Sequence, residues 1–171
     1  RKVIIMNKDE YRYSNLNKNS NFQSTKNNND PIKNENLKKI INDIRKNGPL
    51  SKTLTPEEIN LPNKIGYTIG KYFANNGNSS DSRCLNTNQL RKYFQLISNV
   101  LLIDKLEEQK EQLFKVLPQI AYAAGRNVCP KDFYYLMETC ISEKALETKK
   151  DIEALIDFLT AVVAYSKLNG R

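Results

Sequence analysis

The side chains best placed to do chemistry in this chain are bases standing in stretches without acids. No Asp or Glu falls between Ser82 and Ile103, where Arg83, Arg91 and Lys92 lie. None falls between Gln112 and Lys131, a stretch that holds Lys115, Arg126 and Lys131. None follows Asp157, and Lys167 and Arg171 lie beyond it. Guanidinium and ammonium groups without a carboxylate partner are phosphate ligands. Beside Arg91 and Lys92, the residues Asn88, Gln95, Ser98 and Asn99 add neutral hydrogen-bonding groups. Phosphate and ribose contacts use that mixture. The competing reading is a solvated helix face, which carries both signs of charge. Asp104, Glu107, Glu108 and Glu111, with Lys105 and Lys110, fit that second description. Glutamates four apart on an exposed helix are common, so they are a poor candidate for paired catalytic carboxylates.

Other chemistry is thinly represented. The chain has no His, which removes Ser-His and Cys-His nucleophile pairs, His general bases and His metal ligands. Its three cysteines, Cys84, Cys129 and Cys140, include no Cys-x-x-Cys spacing and make a poor zinc set. Neither a Walker motif nor GxGxxG is present, so no phosphate-binding loop is expected. No catalytic residue, metal or cofactor is assigned. Tyr134 and Tyr135 could stack on bases, but at helical spacing an aromatic is more often core. An odd cysteine count without a signal peptide suits reduced thiols in a cytoplasm. No apolar run approaches the roughly 20 residues of a membrane span.

Two helix endings look alike: Ala121-Tyr122-Ala123-Ala124-Gly125-Arg126 and Ala164-Tyr165-Ser166-Lys167-Leu168-Asn169-Gly170-Arg171. In structural terms, Gly125 and Gly170 suit the left-handed position past a helix end. The bases suit the negative end of the helix dipole, and the tyrosines suit a core with a wet hydroxyl.

The elements that must position these residues are all helical. Residues 7–36 are polar and Asn-rich and read as an extension, since they bury too little to offset their ordering entropy. Leu37, Ile40, Ile41 and Ile44 recur at helical spacing, and Asn47-Gly48-Pro49 stops that helix. Thr55-Pro56-Glu57-Glu58 is a helix start. A further helix runs through Ile65, Ile69 and Phe73. Thr87 is expected to cap a helix whose stripe is Leu90, Phe94, Ile97 and Leu101, with Tyr93 and Val100 beside it. Asp104 is expected to cap the next, with Leu106, Leu113, Phe114 and Leu117 inward and a kink at Pro118. Pro130 opens another, and the last starts at about Asp151. The expected class is all-α: a compact bundle of about five helices over 63–171, a helical linker at 37–62, and the extension at 1–36. Net charge is +8, of which residues 1–83 carry +7 and residues 84–171 only +1. A binding face on the bundle therefore has to come from segregation of charge, not from excess.

The segments TNQLRKYF, PQIAYAAGR and AVVAYSKLNGR, in that order, resemble the small subunit of type III-A CRISPR effector complexes, the Csm complex. The resemblance covers roughly residues 65–171. It implies a non-catalytic helical bundle that stacks with copies of itself as a filament along the guide RNA–target RNA duplex. It also implies backbone binding without sequence readout, and partners in the backbone and large signature subunits. The family's RNA-contacting residues map onto Arg91, Lys92, Arg126 and Lys167, and Arg83 and Lys131 join them from the acid-free stretches. The alternative is a helical protein–protein adaptor with no direct RNA role, in which the bases only cap helices. A metal-independent ribonuclease using Tyr, Lys and Glu is a more distant third.

Overall fold

The last helix is apolar on most of its sides, and a helix of that kind has to be surrounded. The computed structural model describes residues 32, 34–75, 85 and 87–170, and only the backbone of Asn75 and Thr87. All of these lie within one unit, Pro31–Arg171. They form α1 (Glu35–Asn47), α2 (Leu50–Thr53), α3 (Pro56–Asn60), α4 (Ile65–Asn75), α5 (Thr87–Ser98), α6 (Leu106–Gly125), α7 (Lys131–Cys140) and α8 (Lys149–Asn169). A 3-10 turn, Asn99–Leu102, links α5 to α6. No strand occurs among the described residues. The all-α class expected from the sequence is what the chain adopts. Helix α1 packs against α2, α4 and α7, and α3 packs against α4 and α8.

Helix α8 packs against α2, α3, α4 and α5. It buries Ile152, Leu155, Phe158, Leu159 and Val162 almost completely. Helix α1 buries Leu37, Ile40, Ile41 and Ile44 as their spacing requires, and Gly48 closes it at φ 85°. That left-handed value is easy only for glycine. The Thr55 hydroxyl accepts from the Glu58 amide at 3.3 Å, with Pro56 in the first turn, as expected. Asn34 caps α1 in the same way, accepting from the Leu37 amide at 2.9 Å.

The start of α8 is fixed by Asp151, which is fully buried. Its carboxylate accepts from the Ser51 amide at 2.9 Å and from the Thr148 amide and hydroxyl at 2.8 Å each. Burial by itself would raise this carboxyl. The hydrogen bonds from Ser51 and Thr148 together outweigh burial and hold it below the ordinary carboxylate range.

Four expectations need correction. Helix α6 has Lys105, not Asp104, at its N-cap, with no side-chain bond there. The buried stripe of α5 is Leu90, Tyr93, Ile97 and continues to Val100, whereas Leu101 is 48% exposed. The helix tightens into a 3-10 turn at Asn99, which turns the following residues to a different face. Gly125 is the last residue of α6, and Asn127, at φ 56°, takes the left-handed position instead. Gly170 is extended at φ −83°. As expected, helical residues continue past Pro118 to Gly125. The cap expected of Thr87 lies outside the described residues, as do almost all of residues 1–33.

Candidate nucleic-acid interface

Arg91 and Lys92 sit in the first half of α5, Arg126 caps α6, Lys131 opens α7, and Lys167 is in the last turn of α8. All five are exposed. Arg83 lies outside the described residues.

What relates these bases is the direction of the helices that carry them. A methyl group on Gly66 would collide with the Ile59 carbonyl and lie 3.1 Å from the Ala161 Cβ. One on Gly70 would lie 2.6 Å from the Tyr165 Cβ and 3.1 Å from the Ser166 amide nitrogen. One step of four residues along α4 thus matches one step of four along α8. The two helices run parallel in closest approach, and their C-terminal ends coincide. In the last turns of α4, Phe73 meets Phe133 of α7 edge to face at 5.6 Å. Its neighbour Tyr72 donates a hydrogen bond from its hydroxyl to the Asp132 carboxylate. The start of α7 therefore lies at the same end. Tyr93 of α5 packs on Phe133 with ring centres 6.0 Å apart. Burial, then the adjacent Cys129, push the Tyr93 hydroxyl above its ordinary value. The turn of α5 that holds Arg91 and Lys92 is thereby set beside the α6–α7 junction. Helix α5 ends where α6 begins, and the 20 residues of α6 place that point about 30 Å from Gly125.

One end of the bundle thus gathers the C-termini of α4, α6 and α8 with the N-termini of α5 and α7. It brings Arg91, Lys92, Arg126, Lys131 and Lys167 to one level of the molecule. Among the described residues none of these five makes an ion pair. Arg126 instead lies over the Tyr122 ring, 5.6 Å from its centre, and donates to the Tyr122 hydroxyl at 3.4 Å. Lys71 of α4 lies 5.9 Å from the ring centre of Tyr67, one turn back along the helix. Lys167 also complements the α8 dipole, so the structural role the sequence suggested for it stands beside any other.

The acidic stretch behaves differently. Lys105 pairs with Glu108 at 3.0 Å and Lys110 with Glu107 at 3.2 Å. It is the mixed solvated face that the sequence suggested. Tyr134 and Tyr135 are half-buried against the core, and Tyr134 donates to Glu138 at 3.0 Å. Tyr165 is also half-buried, and its hydroxyl donates to the Asn60 carbonyl at 2.5 Å. Tyr122 is the correction: expected in the core, it is 67% exposed. Cys129 and Cys140 are buried, and burial pushes both thiols up to about 12, so neither is a nucleophile at neutral pH. Among the described residues no group of three or more Cys, Asp or Glu could hold a metal ion. None of the described helices is long and apolar enough to cross a membrane.

Sequence reasoning gave Gly66 and Gly70 no role, although they set the axis of the whole site. Their signal was local and readable: small residues four apart on a helix let a neighbouring backbone come close.

The profile of the Csm2 type III-A family matches residues 57–171, from α3 to the end of the chain. The chain belongs to the Csm2 type III-A family. Membership makes it a small subunit of type III-A CRISPR effector complexes. The match takes in every helix that carries a base of the candidate interface. It leaves out α1 and α2. No curated protein and no solved structure matches the chain.

Proposed function

We propose that this small subunit binds the phosphate backbone of the guide RNA–target RNA duplex through the end of the bundle that holds Arg91, Lys92, Arg126, Lys131 and Lys167. The observation that carries this reading is the convergence of five exposed, carboxylate-free bases at one level of a Csm2-family fold. Contacts of that kind position a protein on RNA and leave sequence to base pairing. The role is non-catalytic, and Arg83 belongs with the same set.

Copies stack along the duplex. At the opposite end of α6, Leu101 and Leu102 are 48% and 85% exposed beside Asp104, Glu107, Glu108 and Glu111. An apolar, acidic face on one copy fits a basic surface, or one formed by the extension at 1–36, on the next. A head-to-tail contact whose rotation does not close gives an open array. The backbone and large subunits of the effector hold this array in place.

The test is retention of a guide–target RNA duplex by the isolated full chain. Affinity of about 10⁻⁴–10⁻⁶ M at physiological salt is expected, weakening as salt rises. Arg91→Ala and Arg126→Ala should each lower it without changing the thermal midpoint by more than a few degrees. Binding that is indifferent to salt, or unchanged in both variants, overturns the reading and favours the protein–protein adaptor.

A further inference from the structure

Among the described residues every Phe and Tyr is buried or half-buried except one. That one is Tyr122, 67% exposed, one turn before the end of α6. It stands inside the acid-free stretch from Gln112 to Lys131. Its ring is held in place from one side: the Arg126 guanidinium lies 5.6 Å from the ring centre and donates to the hydroxyl at 3.4 Å. The surface next to it is open, since a methyl group on Gly125 would meet nothing within 4 Å. Val128, 47% exposed, adds apolar surface nearby. The amides of Arg126, Asn127 and Val128 are already bonded to the Tyr122, Ala124 and Ala123 carbonyls, at 3.1, 3.1 and 2.9 Å. The loop backbone therefore offers an anion nothing, and recognition here falls to the two side chains.

We propose that Tyr122 is a stacking platform for an unpaired RNA base, with Arg126 held beside it to meet the flanking phosphate. This inference rests on the reading that the basic end binds RNA, and it adds a ligand that backbone contacts do not require. An exposed aromatic ring with a guanidinium held beside it offers a π surface that any base can use. In an A-form duplex the bases are paired and stacked within the helix, so the ring can take only a base that has left the stack. The site is therefore selective for a bulged or single-stranded nucleotide and indifferent to which base it is. A protein partner fits less well. It would desolvate the Arg126 charge, which has no carboxylate partner among the described residues.

The experiment uses the full chain and RNA duplexes that carry one bulged 2-aminopurine, with the same duplex fully paired as the control. The wild-type protein and Tyr122→Phe should quench the bulged fluorophore and bind the bulged duplex with affinities within about twofold of each other. Tyr122→Ala should lose the quenching and about tenfold or more in affinity for the bulged duplex. On the fully paired duplex it should stay within about twofold of wild type. Quenching that survives Tyr122→Ala overturns the proposal. So does an equal loss on both duplexes, or unchanged RNA binding with altered self-association in sedimentation. Arg91→Ala, measured on the paired duplex, separates the two levels of the argument. If it weakens binding while Tyr122→Ala changes nothing, the stacking site alone is wrong. If neither it nor Arg126→Ala has any effect on that duplex, the RNA reading beneath fails as well.

Discussion

The two ends of the bundle carry charge in opposite ways. At the start of α6, bases and acids alternate within one helix and satisfy each other, as Lys105 does with Glu108 and Lys110 with Glu107. At the other end five bases come from four helices, and none has a carboxylate partner among the described residues. Exposed ion pairs of the first kind contribute little to stability. Unpaired bases of the second kind contribute still less, and their mutual repulsion costs something. The difference shows that net charge, close to neutral over residues 84–171, is a poor guide to a binding face. The parallel approach of α4 and α8 gathers the bases, not their number.

The most damaging change should be Gly66→Ala. Its methyl group meets the Ile59 carbonyl, a backbone atom that cannot swing aside. Overpacking of this kind costs about 1–3 kcal/mol and sometimes more. A fall in denaturant midpoint and weaker RNA retention are both expected, because the axis that gathers the bases is disturbed. Gly70→Ala meets the Tyr165 Cβ at 2.6 Å and should follow with a similar but smaller loss.

Asp151→Ala should come next and act at the other end. It removes the acceptor that the Ser51 and Thr148 amides share, at about 1–3 kcal/mol for a group left unsatisfied, and should leave RNA binding by the folded protein intact. The Asp151 carboxyl is held below its ordinary value in the fold. Its stabilisation is therefore present above the unfolded value of about 3.9 and is lost as pH falls through the folded value. In thermal melts the gap between wild type and Asp151→Asn should be widest near neutral pH and close on acidification. A gap that widens at low pH would contradict the sign.

Smaller effects sharpen the contrast between the ends. Each of Arg91→Ala and Arg126→Ala should flatten the salt dependence of single-stranded RNA binding by about 0.7 log units per decade for the phosphate contact removed. Lys105→Ala at the paired end should change stability by less than about 0.5 kcal/mol and leave RNA affinity as it was.

Much of this was readable in the sequence wherever the deciding interaction was local. The α1 stripe, the Thr55 cap and the acid-free stretches depend on residues within a turn or two of each other. Leu101 was misplaced because the switch from α-helix to 3-10 turn at Asn99 is decided by packing against α6, which the α5 pattern does not record. Tyr122 was expected to be buried because Ala-Tyr in a helix end reads as core. Instead its ring lies on the solvent side of α6, with Arg126 beside it. The five bases could be picked out one by one, but their convergence could not. It depends on the direction of α4 relative to α8, and that is set by contacts nearly 100 positions apart.

The most direct test is a chemical-shift map of the isotope-labelled full chain titrated with a short guide–target RNA duplex. The amides that move should cluster around Arg91–Gln95, Arg126–Lys131 and Lys167–Asn169, while Asp104–Glu111 stays still. Shifts centred on Asp104–Glu111, or scattered evenly over both ends, would contradict the claim that the parallel approach of α4 and α8 builds an RNA-binding end.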